Sequence, residues 1–131
     1  MKVAIIQGSP RPHAVSTAMA ARLAATLARQ GDTAGLFELR RLEYRGCVAC
    51  MACKNGQETC VLRDGLTPVL AAIAQSDAVV MAAGVYWADL PSGLKALVDR
   101  CYGFYRPRFW EQTVQSRFAT RKPLGFLLPQ G

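Results

Sequence analysis

The chain opens on Met1 to Gln7, a strand-forming run that is continuously apolar from Val3 to Ile6 and that Gly8, Pro10 and Pro12 bring to a stop. A run without polar alternation suits a strand buried on both faces, as in a parallel sheet covered by helices on either side. From Ser16 the period changes. Arg22, Thr26, Arg29 and Gln30 fall at i, i+4, i+7 and i+8, one polar stripe on a cylinder of Ala, Leu and Met. Gly31 ends this helix in the manner of a C-cap. A strand, a glycine-opened turn and an amphipathic helix bury their apolar surface best when a second strand returns beside the first, which starts a βαβ unit.

The remainder repeats that logic. Ala34 to Leu39 reads as a second strand, and Arg40 to Arg63 as a loop without sustained period. Thr67 as N-cap and Pro68 at the first helical position open a second helix through about Ser76. Ala78 to Ala83 is a third buried strand, with Gly84 to Ser92 as its exit loop. Gly93 to Tyr102 is a third helix, with Leu94, Leu97, Val98 and Cys101 on one face and a Lys95/Asp99 pair outside. Leu124 to Leu128 is a fourth strand, followed by Pro129, Gln130 and Gly131. The order βαβαβαβ predicts a doubly wound parallel sheet, strand order 2-1-3-4, with right-handed crossovers. With 131 residues, 51% hydrophobic and 19% charged, residues 1–131 fit a single domain that needs no disulfide scaffold.

Several function classes fall away on composition. No stretch approaches the roughly 18 apolar residues of a membrane span, and Val3 to Ile6 is too short for a signal-peptide core, so no membrane partner and a cytoplasmic location are expected. The net charge of +7 raises the question of a nucleic-acid partner, because Lys and Arg neutralise phosphates and release counterions. The basic residues are scattered, however. Their densest stretch, Arg100 to Lys122, interleaves them with Tyr102, Phe104, Tyr105, Phe109 and Trp110. Attraction of an anionic cofactor accounts for the charge better than nucleic acid does.

In a doubly wound sheet the ligand sits beyond the carboxyl ends of the strands, where strand order reverses. That directs attention to Gly8 to Thr17, Gly84 to Gly93 and the end at Gln130. In the first loop Gly8 permits close backbone approach, Ser9, Ser16 and Thr17 offer hydroxyls, and Arg11 offers charge. The helix that follows aims its free amides and positive dipole end at an anion. The loop is neither a GxGxxG dinucleotide loop nor a Walker loop ending in GK[ST], so it suits one terminal phosphate rather than a triphosphate. The alternative is a plain turn before an N-capped helix. His13, beside Pro12, reads as a solvated loop residue.

Taken together, Gln7-Gly8-Ser9-Pro10-Arg11 with Ser16-Thr17, then Gly84-Val85-Tyr86-Trp87, Gly93-Leu94-Lys95 and Asp99-Arg100, resemble the NADPH-dependent FMN reductases. The crowded set Cys47, Cys50, Cys53 and Cys60 resembles their iron-sulfur flavoprotein branch. The resemblance spans the whole chain and implies a flavodoxin-like fold. It also implies non-covalent FMN, with electrons passed from a donor such as NAD(P)H to a small-molecule or protein acceptor. Ser9, Arg11, Ser16 and Thr17 would hold the FMN phosphate. Gly84, Val85, Tyr86 and Trp87 would lie along the isoalloxazine, and Gln130 and Gly131 would begin a third flavin loop. No side chain need act as acid or base, since the chemistry resides on the flavin. Two departures stand out: many relatives have proline where this chain has Gly84, and the family continues with another helix, a fifth strand and a last helix. The chain is therefore expected to be truncated before the fifth strand, or to have its fourth strand covered by a partner, and a homo-oligomer (dimer or tetramer) is expected.

The cysteines read C-x2-C-x2-C-x6-C over residues 47–60, a loop set between the second strand and the second helix. In a reducing compartment such thiols point to metal or redox chemistry rather than disulfides. Four thiolates suit a [4Fe-4S] cluster. Zinc also takes four Cys, and a thiol redox switch or a purely structural loop remain open. The sequence reads best as an FMN-dependent oxidoreductase or electron-transfer flavoprotein carrying a [4Fe-4S] cluster. The alternatives are a cluster-free NAD(P)H:FMN or quinone reductase, and a non-enzymatic zinc-binding interaction module on a degenerate fold. Cys101 reads as a small core residue.

Overall fold

The computed structural model describes residues 1–130 and places Lys2–Gln7 (β1) inside a four-stranded sheet. Thr33–Glu38 (β2), Ala78–Ala82 (β3) and Leu124–Leu127 (β4) complete it in the order β2-β1-β3-β4, every neighbouring pair parallel. The helices are Val15–Arg29 (α1), Leu66–Gln75 (α2) and Ser92–Arg100 (α3). The strand order is the one the βαβαβαβ pattern predicts.

The apolar run of β1 is needed because the sheet is covered on both faces. Side chains alternate along a strand, so Val3 and Ile5 meet Ala20 and Leu27 of α1, while Ala4 and Ile6 enter the larger core. There they join Leu66, Val69 and Ile73 of α2 and Leu94 and Leu97 of α3. Ile5 and Ile6 are completely buried, each stabilising the fold by about 1.5–3 kcal/mol relative to exposure.

Helix ends explain themselves locally, with one correction. Gly31 has φ 83°, and the amides of Gly31 and Asp32 donate to the carbonyls of Ala28 and Leu27 at 3.1 and 3.0 Å. This is a Schellman closure, and the left-handed residue it needs is cheapest as glycine. Thr67, expected as the N-cap of α2, instead lies inside the first turn. Asp64 takes that role: its Oδ1 accepts the Leu66 amide at 3.0 Å, and the Thr67 hydroxyl accepts the Asp64 amide at 3.1 Å. The pair is a reciprocal cap, in which a threonine three residues inside does the answering.

Residues 40–65 run without regular structure apart from a short 3-10 turn at Ala52–Lys54 and the tail of another at Leu39–Arg41. Beyond α3 a 3-10 turn, Cys101–Phe104, leads into an irregular aromatic-rich stretch. Leu124 and Phe126 of β4 pair with Val79 and Met81 and are about half exposed. They border an apolar groove of about 860 Å³ that also takes in Ile73, Val98 and Phe104. Among the described residues no helix is long and apolar enough to cross a membrane.

Candidate functional site

The loop after β1 is held at a fixed place. Its Gly8 amide donates to the Ala82 carbonyl at 2.8 Å, tying it to the end of β3. A Cβ on Gly8 would stand 2.8 Å from Leu94 Cβ, so only glycine lets the loop pack on α3. Ser9 is buried, and its Oγ accepts the Arg11 amide at 3.2 Å, which folds the loop back on itself. Arg11 and His13 are exposed, and Thr17 is half-buried in the first turn of α1. Ala14, in the N-cap position, has no side-chain cap to offer, and the first turn holds no acidic residue. The first amides of a helix lack internal acceptors and carry its positive dipole end. Beside them the Ser16 hydroxyl is 1% exposed and has no hydrogen-bond partner. A buried hydroxyl left unpaired is costly, and at an uncapped helix start it fits an incoming anion such as a phosphate.

The loop after β3 leaves the adjacent strand end. The Tyr86 amide donates to the Asp89 carbonyl at 2.8 Å and the Asp89 amide to the Tyr86 carbonyl at 2.9 Å. The two residues between them, Trp87 and Ala88, have φ 48° and 60°. Positive φ at both central positions defines a type I′ turn, a geometry normally given to Gly or Asn. Here it lifts the Trp87 side chain entirely into solvent, while the Tyr86 ring lies over Gly84, 3.4 Å from where a Cβ would be. Val85 is exposed. Strain of this kind persists where the surrounding structure requires it. Gln130 is exposed three residues past the carboxyl end of β4, and Gly131 lies outside the described residues.

The four clustered cysteines all line one narrow cavity of about 30 Å³, together with Leu62, Arg100, Tyr102 and Gly103. Cys47 and Cys50 are exposed, Cys53 and Cys60 half-buried. Ala49 and Met51, between them, have φ 52° and 58°, and the Ala49 amide donates to Cys47 Sγ at 3.4 Å. Among the described residues no three Cys, His, Asp or Glu side chains stand together in a formed ligating array. The thiols share one wall without yet converging. Cys101 sits apart, half-buried against the core just past α3, and burial pushes its thiol up to about 12.

Three basic residues that sequence reasoning left unassigned brace this cavity. Arg100 is fully buried at its side chain; Nη1 donates to both Asp64 carboxylate oxygens at 2.7 and 2.6 Å, and Nη2 to the Leu62 carbonyl at 3.1 Å. Its Nε makes no hydrogen bond. Burial opposes the Arg100 charge, but hydrogen bonding to Asp64 and the proximity of Cys60 outweigh it and raise its pKa. Lys54 Nζ donates to the carbonyls of Tyr102 and Tyr105, both at 2.6 Å, and stands 4.0 Å from the Tyr102 ring centre. Burial lowers its pKa. Arg117 Nη2 donates to the Cys53 carbonyl at 2.8 Å. One signal for Arg100 was present in the sequence: it continues the apolar stripe of Leu94 and Leu97 at three-residue steps, where a charge must find a buried partner.

The family model described as NADPH-dependent FMN reductase matches residues 1–127. An iron-sulfur flavoprotein of Methanosarcina thermophila is 33% identical over 110 residues, covering 83% of this chain and 56% of that protein. One of Methanocaldococcus jannaschii is 29% identical over 100 residues, 76% of this chain and 51% of that protein. The chain thus spans about half the length of these relatives. In fold it is similar to an NAD(P)H:quinone oxidoreductase from Methanothermobacter marburgensis, with TM-score 0.76, 21% identity, and 99% and 65% of the two chains covered. An azoreductase from Bacillus anthracis gives TM-score 0.69 at 19% identity, with 100% and 69% covered. A sheet of order 2-1-3-4, an uncapped phosphate-type loop on β1 and a strained aromatic loop on β3 are thus found in a chain that belongs to the NADPH-dependent FMN reductase family.

Proposed function

We propose that this chain is an FMN-dependent NAD(P)H oxidoreductase or electron-transfer flavoprotein. The observation that carries the reading is the buried, unpartnered Ser16 hydroxyl at the uncapped start of α1. Ser9, Arg11, Ser16 and Thr17 hold the FMN phosphate there, with the first-turn amides completing the anion site. Gly84, Val85, Tyr86 and Trp87 cover the flavin ring, and Gln130 borders it. FMN supplies the hydride and one-electron chemistry when bound, and the protein's own residues bind it, orient it and limit water around it. The acceptor is a small molecule or a redox protein.

Cys47, Cys50, Cys53 and Cys60 form the second part of the proposal, as ligands of one [4Fe-4S] cluster. The donor set is chemically right for it. All four thiols line one cavity, with Cys47 and Cys50 on its exposed side. The other readings are a cluster-free reductase and a zinc-stabilised loop, the latter using the same four thiols that line this cavity. Protein purified without oxygen separates them. FMN near one per chain, with iron and acid-labile sulfide that are lost in Cys53→Ser, is expected. Colourless protein with stoichiometric zinc would overturn both parts, and FMN without iron would leave only the cluster-free reductase.

A further inference from the structure

Arg100 touches both the structural frame and the cysteine cavity with its charge out of water. Its side chain has 0% exposure, and it lines the cavity with Cys47, Cys50, Cys53 and Cys60. Nη1 and Nη2 are spent on Asp64, the Arg45 carbonyl at 3.3 Å and the Leu62 carbonyl. Nε alone is left without a partner. Burying a guanidinium is expensive, and leaving one of its N–H groups unpaired adds to that cost. If the pair served only to join α3 to the segment before α2, a hydrocarbon contact would do as well. The cavity wall offers sulfur as the soft acceptor that would complete the set.

We propose that Arg100 is a positioning residue for the cysteine-held group, its Nε–H donating to a sulfur of that group and its buried charge raising the group's reduction potential. The inference rests on the cluster reading given above. Adding one electron to an iron-sulfur cluster makes it more negative by one charge without moving a proton. A nearby N–H donor and a buried positive charge therefore favour the reduced form, since hydrogen bonds to the sulfurs and net charge are what tune such potentials. Asp64 opposes Arg100 in this role, because its carboxylate cancels part of the guanidinium field while holding the side chain in place. Two substitutions should then act with opposite signs. Arg100→Lys keeps a positive charge but has no Nε–H and no planar fork, so it lowers the potential. Asp64→Asn keeps Arg100 and removes the opposing charge, so it raises the potential.

The test uses the full chain, reconstituted anaerobically with ferrous iron and sulfide, and a dithionite titration followed by electron paramagnetic resonance. Arg100→Lys is expected to lower the equilibrium constant for cluster reduction by tenfold or more, about 59 mV per tenfold for a one-electron couple. Asp64→Asn is expected to move it the other way. In resonance Raman spectra, exchange into heavy water should shift the iron–sulfur stretching bands of the native chain and of Asp64→Asn more than those of Arg100→Lys. A purely structural Arg100 would change stability and leave potential and isotope shift alone, which would overturn the inference. Should Arg100→Lys not fold, a fall or no change in potential in Asp64→Asn overturns it equally. A native chain that takes up no iron and sulfide defeats the cluster reading and this inference together, whereas a cluster with unmoved potentials defeats this inference alone.

Discussion

Ser16 and Ala88 show two ways in which single residues of this chain are held in unfavourable states near the same strand ends. The Ser16 hydroxyl is buried without a partner, so Ser16→Ala should cost the ligand-free chain nothing in urea melts. It should weaken FMN binding by about 1–3 kcal/mol, the range for a lost hydrogen bond to a charged group. Fluorescence titration measures this, and an unchanged affinity removes Ser16 from the phosphate site. Ala88, with φ 60°, bears left-handed strain of about 1–2 kcal/mol. Ala88→Gly relieves it but gives back part in chain entropy, so a net gain of about 0.5–1 kcal/mol in urea unfolding is expected. A destabilised variant would mean that the turn is not strained in the way its geometry implies. The candidate residues of both loops could be named from sequence because each motif is contiguous. Positive φ at Trp87 and Ala88 could not, since neither is the Gly or Asn that signals it.

At the scale of elements, the strands and helices were legible where local chemistry and packing agree. The run in β1 and Gly31 after α1 are of that kind. The start of α2 was misread because Thr67 and Pro68 imitate a cap, whereas Asp64 is preferred through a partner 36 positions away, Arg100. Lys54 and Arg117 were equally invisible, because their acceptors are backbone carbonyls distant in sequence that no residue pattern announces. The Asp64 arrangement has a pH signature. Burial alone would raise its pKa, but hydrogen bonds from Arg100 and from the Leu66 and Arg45 amides prevail and hold it below the usual 3.8. A carboxylate depressed in the folded state adds stability that is fully present above the unfolded value and disappears as pH falls through the folded one. Wild type should therefore exceed Asp64→Asn in urea stability at pH 6 to 7, with the gap closing below about pH 4. A gap that persists unchanged at pH 2 would show that the carboxylate's charge is not what matters there.

At the scale of the whole molecule, β4 forms one edge of the sheet, with Leu124 and Phe126 half exposed beside an apolar groove. An edge with unpaired backbone groups and apolar neighbours invites a second copy. Light scattering is expected to report a particle heavier than the 14.2 kDa chain, reduced to one chain by Phe126→Glu. A monomer in the unaltered protein at high concentration would end the oligomer proposal. The helix α3 has a different bearing on the whole. Leu94 near its start rests against Gly8 of the phosphate-type loop, and Arg100 at its end closes the cysteine cavity. The rise between those two residues is about 9 Å at 1.5 Å per residue. The helix is thus a ruler: under the proposed function, an electron crossing from one site to the other meets a gap graduated by helical pitch. One residue inserted after Leu97 would turn the far mark by about 100°, leaving the first site intact and the second without its arginine.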